Sequence, residues 1–145
     1  MVIRFFSRTP RWQWLSNFAE SPFVIDGVQW PSVEHYYQAQ KYAGTEAEAM
    51  IRQAETPQQA RKAGRNRSLV VREDWDAVKE DVMRKAVAAK FAAHRRLREW
   101  LLATGEEELV HHSTSDRFWG RTEDGQGENR LGEILMELRD YLRGS

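Results

Sequence analysis

The sequence predicts an α+β fold: a predominantly helical single domain over residues 1–145 with a small antiparallel sheet. Three observations lead there. Short β-branched and aromatic runs broken by turn residues fill the first thirty positions. From Pro31 onward, apolar residues recur at spacings of three and four. The length of 145 residues is close to the commonest size of one domain, and no linker, repeat or low-complexity tract divides it.

In chain order, Ile3 to Phe6 is apolar and aromatic and reads as a strand, followed by a turn-rich stretch from Ser7 to Arg11 around Pro10. Phe23-Val24-Ile25 and Val28-Gln29-Trp30 flank Asp26-Gly27, a pair suited to the positive φ angles of a two-residue hairpin turn. Pro31-Ser32 starts a helix expected over Val33 to Ala43, with Gly44 as its stop. Thr45-Glu46-Ala47-Glu48 and Thr56-Pro57-Gln58-Gln59 both have the capping-box spacing, and each opens a short helix, the latter ending at Gly64. A longer helix begins near Asp74. Its expected stripe is Trp75, Val78, Val82, Ala86, Ala89 and Ala93, and it continues through Leu97 to Leu102 to a stop at Gly105. Glu108 to Ser113 reads as a strand. Asn129 is placed to cap a final helix burying Leu131, Leu135, Leu138 and Leu142.

Composition narrows the chemistry. Lys and Arg number 22, as do Asp and Glu, so the chain does not look like one held to nucleic acid mainly by counterion release. With no Cys there is no disulfide framework, thiolate metal site or Cys nucleophile. No pair among the four His has ligand spacing, and the adjacent His111 and His112 would point apart, so no metal is expected. Met1 to Phe6 lacks the apolar run of a secretory signal, and no stretch approaches the ~20 apolar residues of a membrane span. The expectation is a cytoplasmic protein without a membrane partner. Six Trp are the unusual feature. Trp100, in a Leu-rich helix, is expected in the core. Trp75 and Trp119 lie beside Asp residues at element ends, where an indole either closes the core or stacks on a flat base.

Three segments are candidates for chemistry, each with a plainer alternative. Glu34, Gln38 and Lys41 stand at i, i+4 and i+7. They form either a solvated row or a carboxylate and an amine in a cleft, where one stabilises a cation and the other, desolvated, is a nucleophile. The run Arg61-Lys62-Ala63-Gly64-Arg65-Asn66-Arg67 is either a solvated basic loop or a phosphate clamp, with Gly64 allowing close backbone approach. Gly125-Gln126-Gly127-Glu128-Asn129 is either a turn into a capped helix or an anion cradle of backbone N–H groups.

Taken together, several strings resemble the NADAR (YbiA-like) family: Leu15-Ser16-Asn17-Phe18, Trp30-Pro31-Ser32-Val33-Glu34-His35-Tyr36-Tyr37-Gln38-Ala39-Gln40-Lys41-Tyr42, Trp75-Asp76-Ala77-Val78-Lys79, Ala89-Lys90-Phe91, Phe118-Trp119-Gly120 and Gly125 to Gly132. The resemblance implies an N-glycosidase that cleaves ribose from a nitrogen of a guanine-derived base, with no cofactor. It implies two substrate classes: phosphoribosylamino-pyrimidine intermediates of riboflavin biosynthesis, and ADP-ribose attached to guanine in DNA or RNA. By the same resemblance Glu34, Lys41 and Asp116 are the catalytic candidates. Asn17, Gln38, Trp75, Trp119 and Asn129 are substrate-binding candidates, with Arg65, Arg67 and the helix start at Gly127 for phosphate. Where relatives carry more glycine, this chain has Arg121-Thr122-Glu123-Asp124, a bulkier insert bearing on which leaving group is admitted. Two other classes stay open: a non-catalytic module binding ADP-ribose or NAD through the same cleft, and a helical interaction protein that would leave Glu34, Gln38 and Lys41 exposed.

Overall fold

A computed structural model of the chain describes residues 1–144. In order, the elements are β1 (Val2–Phe5), a 3-10 turn (Gln13–Leu15), β2 (Phe23–Ile25), β3 (Val28–Trp30), α1 (Val33–Gln40), α2 (Glu46–Arg52), α3 (Pro57–Gly64), α4 (Trp75–Ala93), α5 (Arg95–Ala103), β4 (Glu108–His111) and α6 (Arg130–Arg143). The predominantly helical α+β class is therefore present, with β2 and β3 as its antiparallel hairpin around Asp26 and Gly27, both at positive φ. None of the described helices is long and apolar enough to cross a membrane.

The chain forms two compact units. One is contiguous, Asn17–Ala93, and contains the hairpin and α1 to α4. Its core gathers Phe23, Ile25, Trp30, Tyr36, Ile51, Met83, Val87 and Phe91. The α4 stripe is rotated from the expected one: Met83, Ala86, Val87, Lys90 and Phe91 are buried, while Ala93 is exposed. Met83, Val87 and Phe91 fall at i, i+4 and i+8, so these large side chains join Ala86 on the inward face, while Ala89 is half-buried and Ala93 exposed. At Thr56 the capping box forms, its hydroxyl accepting from Gln59 N at 3.1 Å. At Thr45 it does not: the Thr45 hydroxyl donates to Tyr42 O, and the Glu48 carboxylate accepts from Gly44 N.

The other unit is built from both ends of the chain, Met1–Ser16 and His94–Ser145, of which residues to Gly144 are described. Its sheet is a parallel pair, β1 with β4, in the register Val2 with Glu108 through Phe5 with His111. The expected long helix is two: α4 ends at Ala93, and His94 is extended before α5. Within α5 the inward face is Leu97 and Leu101, one helical repeat apart; Trp100 is turned off that face and is 44% exposed, against the expectation of a core residue. In α6, Leu131 and Leu135 are buried as expected, but Leu138 and Leu142 only half so. Arg139 is buried in that face, donating to Thr104 Oγ1 and Glu107 O, both at 2.9 Å.

Candidate active site

The site begins at the N-terminus of α1. Ser32 caps the helix by accepting from His35 N at 3.1 Å, and the Asn17 carbonyl accepts from Glu34 N at 3.1 Å. Asn17 also donates its amide to Met83 Sδ at 3.5 Å, which ties the loop to α4. Glu34 is thus tied to the Asn17 loop through its own amide, beside the capped residue His35, and is 6% exposed. Gln38, one turn on and 2% exposed, donates through Nε2 to Glu34 Oε2 at 2.8 Å. The solvated-row reading of Glu34, Gln38 and Lys41 is therefore wrong, and with it the exposed-helix reading of an interaction protein. A helix flanked by neighbours on several sides buries its polar row as well as its apolar one.

Gly64, at the end of α3, lies against Gln38; a Cβ there would collide with the Gln38 amide. The close approach that Gly64 permits is by Gln38, not by phosphate. Tyr42 locks the same junction by donating to Gly64 O at 2.6 Å. These contacts bring the last turn of α3 beside α1, where the positive charges of Arg61 and Arg65 act on both Glu34 and Lys41. Arg61 is half-buried and lies over the Phe18 ring at 5.7 Å. The chain after α3 folds back too, with Arg72 N donating to Lys41 O at 2.9 Å and the Arg72 guanidinium pairing with Asp74. That return places Trp75, at the start of α4, with its ring 5.1 Å from the Tyr37 ring, over which Lys41 Nζ also sits at 5.8 Å.

Electrostatics follow from burial. Desolvation pushes the Glu34 carboxyl above its ordinary value, opposed by the Gln38 hydrogen bond and by Arg61, Lys41 and Arg65. Desolvation likewise lowers the Lys41 ammonium, with Glu34 pulling it up and the two arginines pushing it further down. A carboxylate and an amine whose ionised forms are both disfavoured by burial are suited, respectively, to meeting a cation and to acting as a nucleophile. The Gln38 Oε1 atom has no hydrogen-bond partner although it is buried. Gln38 is therefore held by one donation only. Gln38→Leu should remove the stabilisation of ionised Glu34 and shift the acid limb of the pH–rate profile toward higher pH, by up to about one unit.

Asp116, Trp119, Gly127 and Asn129 fall in the other unit, where their contacts hold turns and a strand. Asp116 accepts through Oδ1 from Phe118 N and Trp119 N at 3.0 and 2.9 Å, closing a turn. Trp119 is 8% exposed and packs edge-on to Phe118 at 4.7 Å, so little of its indole is open to a base. Asn129 does not cap α6. It sits in the left-handed region at φ 54°, fully buried, and its side chain bridges the β4 backbone: Oδ1 accepts from His111 N at 2.9 Å and Nδ2 donates to Leu109 O at 2.8 Å. The anion cradle is filled by protein. Glu128 N, Asn129 N, Arg130 N and Leu131 N donate to the carbonyls of Arg117, Gly120, Phe118 and Trp119. Gly127 is required for that fit, since a Cβ would strike Gly120 O. Arg67 is exposed, and the charges that act on the Glu34 carboxyl are those of Arg61, Lys41 and Arg65. Arg61 lay in the candidate basic run without being singled out, and Tyr37 was missed. Arg61 had a signal in its i, i+4 spacing to Arg65. Among the described residues, no three His, Asp or Glu converge as metal ligands would.

The sequence profile described as the NADAR domain matches residues 4–143. The chain belongs to the NADAR family. It is 47% identical to the N-glycosidase YbiA of Shigella flexneri over 97% of this chain and 88% of that protein. It is 42% identical to a riboflavin biosynthesis protein of Vibrio vulnificus over 89% of this chain but 35% of that longer protein. An NMR structure of Escherichia coli YbiA superposes with a TM-score of 0.90 at 45% identity, covering 99% of this chain and 85% of that one. The NADAR match passes without a break through both compact units, so the Glu34 row and the Asp116–Asn129 segment belong to one family domain sequence.

Proposed function

We propose that this chain is an N-glycosidase of the cytoplasm, a single family domain acting on a ribose-containing nucleotide. The observation that carries the reading is Glu34: a buried carboxylate, bonded by Gln38 and surrounded by the charges of Arg61, Lys41 and Arg65. Cleaving a ribosyl–nitrogen bond builds positive charge on the sugar, and a desolvated carboxylate stabilises that charge more strongly than it would in water. Arg61 and Arg65 suit the phosphate of the substrate, and the half-exposed Trp75 beside Tyr37 offers a stacking surface for the base.

The net reaction adds water across the bond: hydroxyl to the anomeric carbon, proton to the departing nitrogen, whose electron pair comes from the broken C–N bond. Two routes fit the row. Water attacks directly, or the neutral Lys41 amine attacks the anomeric carbon as the bond to the base breaks. In the second route the base nitrogen leaves with the electron pair and takes up a proton, and the amine gives up its proton. The sugar ring opens to a Schiff base, and water then hydrolyses it to free Lys41 and the sugar. The names of the relatives favour a riboflavin-pathway phosphoribosylamino-pyrimidine as one substrate class; ADP-ribosyl-guanine in DNA or RNA shares the same bond and is the other.

Product analysis tests this. Both substrates, incubated separately with the protein, should show release of free base or of ADP-ribose, and Glu34→Gln should release neither at a comparable rate. Measurable binding with intact substrate would instead establish a non-catalytic ADP-ribose or NAD module. Borohydride added during turnover should fix an adduct on Lys41 if the Schiff-base route operates; turnover without an adduct assigns the reaction to water.

A further inference from the structure

The two-ended unit carries a row of aromatic rings on its surface that the glycosidase reading does not use. Trp12 and Trp14 flank the start of the 3-10 turn and are half-exposed, with ring centroids 6.3 Å apart and planes tilted by 51°. Trp14 continues to Trp100 of α5, with centroids 5.5 Å apart and planes at 58°. Trp100 is the most open of the three. Trp14 is fixed by donation from Nε1 to Arg11 O at 3.1 Å, so the row is held rather than splayed. Three indoles at successive tilts are separate plates, not one flat apolar patch.

Charge accompanies them. The Arg11 guanidinium lies 4.7 Å from the Trp12 ring centroid. Arg96 stands one turn before Trp100, at i−4 on the same side of α5, and is exposed. Neither Arg11 nor Arg96 has an acidic partner among the described residues, whereas the nearby Glu99 is taken by Arg95 at 3.2 Å. In a chain whose net charge is zero, two free cations at the two ends of an aromatic row make a local field of one sign.

We propose that Trp12, Trp14 and Trp100, bracketed by Arg11 and Arg96, form a stacking platform for single-stranded nucleic acid. Every base presents a flat π face, so bases stack on such plates with little regard to sequence, and guanidinium groups at the ends hold the phosphates. A protein partner would instead be met by a contiguous apolar centre with a polar rim. This goes beyond the proposed function: it gives the unit that does not hold the Glu34 row a strand-binding surface of its own.

The test uses the whole protein and an unmodified, fluorescein-labelled oligothymidine of about 12 nucleotides, so that no bond is cleaved and the glycosidase reading is not at stake. Fluorescence anisotropy should report binding that weakens as salt rises from about 50 to about 200 mM. Trp100→Ala should lower the affinity about tenfold, Trp100→Phe should restore most of it, and Arg96→Ala should weaken binding and flatten the salt dependence. Turnover of the free phosphoribosylamino-pyrimidine should be unchanged in all three variants. No strand binding, or binding equal in Trp100→Ala and the parent, overturns the platform. A dimer in sedimentation that Trp100→Ala dissociates would also overturn it, because the row would then be an interface between copies of the chain. Failure of turnover with intact strand binding would overturn the glycosidase reading alone.

Discussion

Glu34→Gln is expected to lose about two to four orders of magnitude in kcat/KM while unfolding at a temperature no lower than the parent. The two halves of that result share one cause. Glu34 is buried, and its carboxyl is pushed above its ordinary value even though Gln38 and three cations act to lower it. The direction of the shift means that the ionised side chain, with its neighbours counted, is less favourable in the folded state than in the unfolded one. Gln keeps the shape and can still accept from Gln38, so it removes the buried charge and little else. The pH dependence has a definite sign. Between the ordinary carboxyl value and the raised folded one, the folded chain holds a proton that the unfolded chain has lost, so stability falls as pH rises through that window. Thermal unfolding of parent and variant should therefore diverge above the window and converge below the ordinary value. Loss of activity with equal loss of stability would mean that Glu34 is structural.

The second large effect is a rise in stability with pH that depends on Lys90. Its side chain is 1% exposed on the inward face of α4, and burial lowers its ammonium from 10.5 to about 7. Above the folded value and below the unfolded one, the unfolded chain binds a proton that the folded chain does not, so stability increases with pH across that interval. Each pH unit inside it is worth about 1.4 kcal/mol, so raising the pH from 7 to 9 should add about 2 kcal/mol from this group. Chemical denaturation at the two pH values measures it. Lys90→Met should remove that increment whatever its effect on absolute stability, since Met fills a similar volume and cannot titrate. An equal increment in the variant would place the titration elsewhere.

Local signals in the chain were sufficient for what is locally determined. Asp26-Gly27 specified the hairpin, Thr56-Pro57 the start of α3, and Gly64 its end, because each acts through backbone preferences within a few residues. Whether the Glu34 row faced water or protein was not local. Its spacing is the same in both cases, and only the packing of α3, α4 and the Asn17 loop around α1 decides it. Asn129 failed as a cap for a related reason: the side chain that usually serves its own helix was drawn to β4, a segment some twenty residues earlier. Trp100 looked internal because leucines surround it in sequence, yet helix geometry turns it away from Leu97 and Leu101. The resemblance, not the spacing, singled out Glu34 and Lys41. It also pointed to Asp116, Trp119 and Asn129, whose polar atoms are engaged in holding turns and a strand.

The parallel pairing of β1 with β4 has a consequence for how the molecule comes into being. Its partners are over a hundred residues apart, so the pair closes a very large loop, whereas Asn17–Ala93 makes its contacts within one continuous stretch. On a ribosome the stretch bearing Glu34 and Lys41 can condense while synthesis proceeds, but Met1 to Phe5 must wait for Glu108 to emerge. Residues Val2 to Phe5 are thus expected to find their place late, with the closing of β1 on β4 as the slowest step of refolding.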